Sequence, residues 1–280
     1  MMLEEMELDG RDAREVSLAH IPQQAREALP VLIIGAGMSG ILAGIRLQEE
    51  GIPYVIIEKN PGVGGTWYEN TYPGCRVDVG NHFYCYSFEP NLGWHEFFAR
   101  QPELQRYFAN TARKYGVEPQ IRFDTEVQAA EFDAASGEWR VRVRAKSGAV
   151  ATLRARVLIS GVGQLNRPKL PDIEGLDRFR GPAFHSACWD HSVSLAGKRV
   201  AVIGTGASAF QLVPELAKEA AQVCTFQRTP QWMFPNPDYH RAVSEGARWC
   251  FRHLPCYGRW YRFLLFWPAP EGTWEGNFVD

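Results

Sequence analysis

Two glycine-rich stretches, each preceded by a short apolar run, limit the fold of this chain more than any other feature. Val31-Leu-Ile-Ile34 precedes Gly35-Ala-Gly-Met-Ser-Gly40, and Arg199-Val-Ala-Val-Ile203 precedes Gly204-Thr-Gly-Ala-Ser-Ala209. A short continuous apolar run is typical of a strand buried on both faces of a parallel sheet. Glycines at this spacing permit a tight turn from such a strand into a helix. The sequence therefore predicts an α/β protein with two βαβ units.

The residues after the first glycine motif predict that it binds a nucleotide. An amphipathic stretch runs to Glu50, Tyr54-Val-Ile-Ile57 predicts a second buried strand, and Glu58 ends that strand. Glycines let the backbone approach a pyrophosphate at the positive N-terminus of the helix, and Glu58 can accept hydrogen bonds from ribose hydroxyls. The alternative is a glycine turn without a ligand, which the complete strand, turn, helix and acid disfavour.

The second glycine motif differs at the end of its second strand. A helix is predicted to about Lys218 and a strand at Val223-Cys-Thr-Phe226, but Gln227-Arg-Thr229 follows where an acidic residue would meet a ribose 2′-hydroxyl. Arg228 can pair with a 2′-phosphate, which a carboxylate would repel. The sequence therefore favours NADPH over NADH, the alternative for Arg228 being an ordinary surface arginine.

The stretch between the two motifs changes from helical to strand periodicity. Residues 101–115 predict a helix, and alternation over 126–157 predicts a β-meander. Val157-Leu-Ile-Ser-Gly161 predicts a strand that returns to the first sheet. Three arginines alternate along the meander and are expected on a solvated strand face: Arg140, Arg142 and Arg144.

These patterns divide the chain into four parts. A polar lead-in of residues 1–29, with a short helix after Pro22, precedes a first nucleotide-binding domain of residues 30–163 that carries the meander as an insertion. A linker rich in proline and glycine occupies 164–196, and a second nucleotide-binding domain occupies 197–280. The predicted fold is therefore two Rossmann-like domains, with the second domain and the first sheet incomplete.

A loop after the first βαβ unit carries further candidate residues. Gly64-Gly-Thr-Trp67 has small residues that let a backbone lie against a flat ring, and Trp67 and Tyr72 can flank that ring. Asp78 follows Tyr72-Pro-Gly74 and is expected in a partly buried, aromatic-lined place, where a carboxylate needs a partner. The alternative, an Asp that caps a turn, stays open.

Composition excludes several classes of protein. The formal net charge of −2, without clustered Lys and Arg, argues against a nucleic-acid partner. The six cysteines form no C-x-x-C pair, which favours reduced thiols and argues against a disulfide reductase. No metal site is predicted, because His82-x-x-Cys85 lacks a second pair and is interpreted as part of an aromatic strand.

The start of the chain lacks the basic residues and apolar run of a signal peptide. No stretch approaches ~20 uninterrupted apolar residues, the length of a membrane span. A cytoplasmic protein is therefore expected, and the sequence gives no indication of its oligomeric state.

Together these motifs resemble those of the type I Baeyer–Villiger monooxygenases. The resemblance rests on G-A-G-M-S-G, on G-G-T-W-Y-E-N-T-Y-P-G-C-R-V-D, on the linker stretch F-R-G-P-A-F-H-S-A-C-W-D, and on G-T-G-A-S-A with Q-R-T-P. The linker is the most specific element, because the matching motif of N-hydroxylating and flavin-containing monooxygenases typically ends in Phe or Tyr, whereas this one ends at Trp189-Asp190. Residues 81–90 and the lead-in look most like the 4-hydroxyacetophenone monooxygenase branch.

The resemblance implies FAD and NADPH as cofactors, and a ketone and O₂ as substrates. NADPH would reduce the flavin, O₂ would add to give a C4a-peroxyflavin, and one oxygen atom would be inserted beside the ketone carbonyl to give an ester or lactone. Asp78 is the implied catalytic residue. The implied FAD contacts are Gly35, Gly37, Gly40, Glu58, Thr66, Trp67, Asp78, Tyr84 and the backbone near Val127. The implied NADPH contacts are Gly204, Thr205, Gly206, Ala207, Ser208, Arg228 and Thr229.

The linker motif consists of Phe179, Gly181, His185, Trp189 and Asp190. The resemblance implies that His185 and Trp189 couple the linker to the NADPH domain as that domain moves. From the residues alone, a structural role for His185 is favoured over proton transfer.

The chain departs from this family in its length. Family members are considerably longer, and an active-site Arg that pairs with the acid corresponding to Asp78 lies downstream of residue 280 in them. The chain is therefore expected to be an incomplete enzyme that binds FAD weakly and lacks turnover by itself. Two alternatives stay open: a flavin monooxygenase that acts on nitrogen or sulfur, and a nucleotide-binding remnant without turnover.

Overall fold

The computed structural model describes residues 20–28, 30–233 and 235–266, and these residues form two compact units. The first unit comprises the described residues within 17–72 and 102–196, and the second comprises those within 73–101 and 197–280. The domain boundaries expected from the sequence stay a prediction. Most of the expected lead-in lies outside the described residues, but the short helix after Pro22 is confirmed as α1 (Gln23–Glu27).

Four parallel strands form the main sheet of the first unit. β1 (Val31–Ile34) lies between β2 (Tyr54–Ile57) and β7 (Val157–Ser160), and the short β3 (Ile121–Arg122) pairs with the other edge of β2. Helix α2 (Met38–Glu49) connects β1 to β2. The first three side chains of β1 are buried, as the apolar composition of this central strand predicts.

The predicted β-meander forms a separate antiparallel sheet of the first unit. It consists of β4 (Thr125–Asp133), β5 (Glu138–Ala145) and β6 (Val150–Ala155), with β5 in the middle. Alternate side chains of β5, Val141 and Val143, are buried in a cluster that includes residues of β1 and β2. The predicted solvated face is confirmed, because the three alternating arginines of β5 are exposed.

The remaining elements of the first unit are short apart from one helix. α3 (Thr66–Glu69) lies within the stretch that the sequence predicted as a loop, and α4 (Gln101–Lys114) confirms the predicted helix. Single turns of 3₁₀ helix occur at Glu118–Gln120, Leu176–Arg178 and Ser186–Cys188.

The second unit contains the second glycine motif. β8 (Arg199–Ile203) and β9 (Gln222–Phe226) pair in parallel and are connected by α5 (Ala207–Leu216), as predicted. Two further helices, α6 (Glu245–His253) and α7 (Tyr257–Phe266), follow. Among the described residues no helix is both long and apolar enough to cross a membrane.

The expected aromatic strand at His82-x-x-Cys85 is wrong, because these residues form turns. Two hydrogen bonds close the turn: the amide N–H groups of Phe83 and Tyr84 both donate to the carbonyl oxygen of Gly80. Arg262 of α7 also stabilises this turn through hydrogen bonds. Its Nη1 donates to the carbonyl oxygens of residues 82, 83 and 85 at 3.2, 2.9 and 3.1 Å.

His82 has a packing role in this turn, as the sequence favoured. Its ring stacks on Phe251 with 4.1 Å between centroids and meets the edge of Tyr261 at 5.2 Å. Neither ring nitrogen has a hydrogen-bond partner among the described residues. Burial lowers the pKa of His82 from 6.5 to about 4, because the charged ring would lose its hydration here.

The cysteines are free thiols, as expected. Cys85 is buried in the same turn as His82, and its burial raises the pKa of the thiol more strongly than the nearby Arg262 lowers it. In the described part of the chain no group of three His, Cys, Asp or Glu side chains is arranged to hold a metal ion.

The lowered pKa of His82 predicts a loss of stability in mild acid. The unfolded chain takes up a proton on this ring near pH 6.5, whereas the folded chain does so only near pH 4. The free energy of unfolding should therefore fall as the pH falls between these values, by up to about 3 kcal/mol from this residue.

His82→Phe keeps an aromatic ring and removes the titrating group. We expect the variant to be close to the wild type in urea unfolding at pH 7.5, and the more stable of the two at pH 4.5. Because other groups titrate in both proteins, the quantity to compare is the difference between the two unfolding free energies at each pH. A difference that does not change with pH contradicts the prediction.

Candidate functional site

The first glycine loop turns the chain from β1 into α2. Gly35 has a φ of +96°, and a Cβ atom placed on it would lie 2.6 Å from the carbonyl oxygen of Gly161. A Cβ on Gly40 would overlap the carbonyl oxygen of Gly35. The N–H of Gly35 donates to the carbonyl oxygen of Ile57 at the end of β2, at 2.8 Å. Both positions therefore require glycine, since backbone from three strands meets there.

Glu58 follows β2 directly and reaches back to this loop. Its carboxylate accepts hydrogen bonds from the N–H groups of Ala36 at 2.7 Å and Asn60 at 2.8 Å, and the residue is only 4% exposed. A carboxylate has about four acceptor positions, so two donors leave capacity for hydroxyl groups. The sequence indicated Glu58, but it gave no sign that Asn60 holds the carboxylate in place.

The N-terminus of α2 supplies positive charge at the same loop. Gly37 is its N-cap residue and has no side chain with which to accept from the first turn. The amide groups at the start of a helix, together with its dipole, favour an anion. The first unit therefore offers what a dinucleotide needs: a backbone cradle and positive charge for the pyrophosphate, and an acceptor for the ribose.

The Gly64-Gly-Thr-Trp67 stretch packs directly on the glycine loop. The N–H of Gly64 donates to the carbonyl oxygen of Ala36 at 3.0 Å, and a Cβ on Gly65 would lie 3.0 Å from the Cα of Gly37. Both glycines of this stretch have positive φ. Thr66 is exposed at the start of α3, whereas Trp67 is buried. The structure thus brings these predicted residues together with the first motif.

Three further residues were predicted to contact the flavin. Val127 is half-buried on β4, next to a bulge in its pairing with β5, and it packs on the core cluster. Tyr84 is half-buried in the turn at 81–85 of the second unit. Asp78 also belongs to the second unit and is exposed, so the expected partly buried place for this carboxylate is wrong for the described residues.

The second glycine loop repeats the backbone geometry of the first. Gly204 has a φ of +106°, and its N–H donates to the carbonyl oxygen of Phe226 at the end of β9, at 2.9 Å. Gly206 is the N-cap of α5, whose first residues are Ala207 and Ser208. No described atom lies within 4 Å of a Cβ placed on either glycine, so this loop has open space in front of it.

The residues after β9 lie beside this loop. Gln227 takes the position that Glu58 takes after β2, and its Nε2 donates to Oγ1 of Thr205 at 3.2 Å. Arg228 and Thr229 follow and are exposed. A neutral amide therefore stands where the first unit has a carboxylate, with a guanidinium next to it. This arrangement accommodates a phosphate group better than a carboxylate would.

The linker motif forms local structure in the first unit. Nδ1 of His185 accepts a hydrogen bond from the N–H of Ala187 at 3.1 Å and so caps a 3₁₀ turn, while the Trp189 ring meets the edge of Phe184 at 5.0 Å. The Asp190 carboxylate accepts from the hydroxyl and the N–H of Ser192, and these hydrogen bonds lower the pKa of Asp190.

The glycine of the linker motif makes room for an aromatic ring. A Cβ on Gly181 would lie 2.8 Å from the ring of Phe179, which is largely exposed. One contact that the sequence did not indicate lies just after the motif, where Nε2 of His191 and Oγ1 of Thr71 are 2.8 Å apart. This hydrogen bond joins the end of the linker motif to the stretch that begins at Gly64.

Three comparisons with known proteins bear on these features. Residues 28–246 match the family model of the flavin-binding monooxygenase-like proteins. The chain is 44% identical over 246 residues to a Baeyer–Villiger monooxygenase of Streptomyces coelicolor, covering 87% of this chain and 46% of the relative. It is 43% identical to a Baeyer–Villiger monooxygenase of Pseudomonas aeruginosa, covering 88% of this chain and 45% of the relative.

A solved structure of a related protein has a similar fold. The crystal structure of OTEMO in complex with FAD and NADP superposes with a TM-score of 0.72 and 36% identity, over 81% of this chain and 44% of that one. The α/β fold with a parallel sheet and the resemblance to Baeyer–Villiger monooxygenases are thereby confirmed. The division into two Rossmann-like domains and the narrower 4-hydroxyacetophenone branch stay predictions. The chain spans less than half the length of the relatives it matches.

Proposed function

Because this chain belongs to the flavin-binding monooxygenase-like family, we propose that it acts as an FAD- and NADPH-dependent monooxygenase on ketones. The reaction inserts one oxygen atom of O₂ beside the carbonyl and gives an ester or lactone. The observation that carries the proposal is the pair of glycine loops, joined by a linker whose motif ends in Trp189-Asp190. The similarity to two Baeyer–Villiger monooxygenases supports a ketone over an amine or sulfide as the substrate.

The first glycine loop is the proposed FAD site. Its fit rests on the backbone cradle at Gly35 and Gly40, the uncapped start of α2, and the oriented Glu58 carboxylate. Thr66 and Trp67 lie on the stretch packed against this loop and would hold the flavin side of the cofactor. When bound, FAD supplies hydride acceptance and the activation of O₂.

The second glycine loop is the proposed NADPH site. The start of α5 would bind the pyrophosphate, and Arg228 would pair with the 2′-phosphate. Gln227 keeps a carboxylate away from that phosphate while it fixes Thr205 of the loop. The linker motif would couple this nucleotide to the flavin, with His185 and Asp190 giving the linker its local shape.

Asp78 is the proposed catalytic carboxylate. An exposed carboxylate can carry its negative charge without a protein partner, so it remains available to face the cofactors. In this role it would orient the cofactor by charge and hydrogen bonding, while the aromatic residues around the flavin exclude water. The FAD-binding domain over 30–163, the linker over 164–196 and the NADPH-binding domain over 197–280 remain the proposed division.

The reaction predicts a specific product. Purified protein saturated with FAD should consume NADPH with cyclic or aryl ketones under ¹⁸O₂ and give esters or lactones that contain one ¹⁸O atom. Such a product would overturn the expectation from the sequence that this chain lacks turnover by itself. Mass spectrometry of the products measures this directly, with tertiary amines and sulfides as the competing substrates. N-oxides or sulfoxides without any ester would favour nitrogen or sulfur oxygenation. Bound nucleotide without any product would favour a non-catalytic remnant.

Removal of the Asp78 charge should impair this reaction. We expect Asp78→Asn to keep bound FAD, measured by its absorbance, and to lower ester formation at least about tenfold, because a preorganised charge is lost beside the reacting groups. Asp172→Asn, which changes another exposed aspartate, is the matched control and should keep the wild-type rate. A wild-type rate for Asp78→Asn would return this residue to a turn-capping role.

Arg228 should determine the choice between the two nicotinamide cofactors. We expect Arg228→Ala to raise KM for NADPH about 10- to 100-fold, because it removes the binding free energy of a charge-assisted hydrogen bond. The KM for NADH should change little. Arg199→Ala is the control, because it removes another exposed arginine at the start of β8, the end of the strand away from the glycine loop. Equal losses for NADPH and NADH with Arg228→Ala would contradict the pairing with the 2′-phosphate.

A further inference from the structure

A buried glutamine on α5 binds the segment that leads to Asp78. Gln211 lies one helical turn after the start of α5 and is 8% exposed. Its Nε2 donates to the carbonyl oxygen of Arg76 at 2.9 Å, and its Oε1 accepts from the N–H of Arg76 at 3.2 Å. The second N–H of the amide donates to the Tyr239 hydroxyl at 2.7 Å. One side chain therefore satisfies both main-chain polar groups of Arg76.

The same segment also contacts the backbone of α5. Gly74 has a φ of +80°, and a Cβ placed on it would overlap the carbonyl oxygen of Gln211 and lie 2.9 Å from Cγ of Glu215. The main chain at residue 74 is thus as close to the helix as a glycine permits. Contact at residues 74 and 76 fixes both the position and the direction of the segment along α5.

The side chain of Arg76 makes further contacts that hold this segment in place. Its Nη1 pairs with Glu96 at 2.9 Å and donates to the carbonyl oxygen of Tyr239 at 2.7 Å. The next residue, Val77, donates its N–H to the carbonyl oxygen of Ala99 at 3.0 Å. Asp78 follows immediately, so its main chain has little freedom to move independently of residues 76 and 77.

We propose that Gln211 is a positioning residue that transmits the position of α5 to Asp78. The inference rests on the proposed function, in which NADPH binds at the N-terminus of α5 and Asp78 is the catalytic carboxylate. A helix of ten residues moves as a rigid body, and breaking a buried hydrogen bond to the main chain is unfavourable because it leaves a buried polar group without a partner. When the nucleotide orders the start of α5, Gln211 therefore orders residues 76–78 with it.

Hydrogen exchange tests this coupling without a measurement of turnover. In the wild-type protein with bound FAD, NADP⁺ should slow exchange of the amides of residues 76–78 several-fold, because their opening then requires α5 to move. In Gln211→Leu, NADP⁺ should still bind within about threefold of the wild-type Kd, a difference below 1 kcal/mol. The slowing at residues 76–78 should be absent in this variant.

Three outcomes of this comparison are distinct. If Gln211→Leu retains the wild-type effect of NADP⁺ on residues 76–78, the positioning role is overturned. If the wild-type protein itself does not bind NADP⁺, the proposed function fails, whatever the role of Gln211. Residue 76 loses the hydrogen-bond partner of its own N–H in Gln211→Leu, so residues 77 and 78 decide between the two roles. Exchange at residues 77 and 78 of this variant that is faster than in the wild-type protein without NADP⁺, whether or not NADP⁺ is present, would indicate a purely structural role and would also overturn the proposal.

Tyr239→Phe is the matched control. It removes the third partner of the Gln211 amide and leaves both hydrogen bonds to Arg76, so the effect of NADP⁺ at residues 76–78 should persist. If Gln211→Leu does not fold, Gln211→Glu replaces it. Its carboxylate can accept from the N–H of Arg76 but cannot donate to the carbonyl oxygen, so the NADP⁺ effect should again be lost. A wild-type effect in Gln211→Glu would overturn the proposal.

Discussion

Direct contact between main-chain segments at the first glycine loop is the constraint on which the first unit depends. β1 is the central strand, and its end meets the ends of β2 and β7 without side chains between them. A Cβ on Gly35 or Gly40 would collide with a carbonyl oxygen. This contact fixes where α2 begins, and it brings Glu58 within hydrogen-bond distance of the loop. The candidate site for FAD thus follows from the packing of the sheet.

The second glycine loop has the same backbone frame but a different environment. Ala209 stands where the first motif has Gly40, and a Cβ placed on Gly204 or Gly206 would meet no described atom within 4 Å beyond the adjoining residues. The side chain after the second strand is again turned back to the loop, but it is an amide, Gln227, instead of the carboxylate of Glu58. One backbone geometry therefore occurs with two electrostatic environments. The difference suits two dinucleotides of which only one, NADPH, carries a 2′-phosphate on its adenosine ribose.

Much of this architecture is predictable from the sequence, because it depends on local patterns. Apolar runs, glycine spacing and strand alternation correctly indicated β1, β2, the meander and both glycine turns. The turn at His82 was mistaken for a strand because its aromatic residues alternate. The His82 ring instead packs on Phe251 and Tyr261, which are far away in sequence. The exposure of Asp78 was equally unpredictable, since tertiary packing alone determines it.

Residues 73–100 depend on side chains from other parts of the second unit. The segment contains no helix and no strand beyond isolated bridges, and although some of its main-chain groups pair with each other, others take partners from elsewhere. Gln211 supplies them at residue 76, and Arg262 supplies them at residues 82, 83 and 85. No local pattern distinguishes either residue from an ordinary polar residue of a helix. The shape of the segment that carries Asp78 and Tyr84 is therefore determined by two helices that lie more than a hundred residues later in the chain.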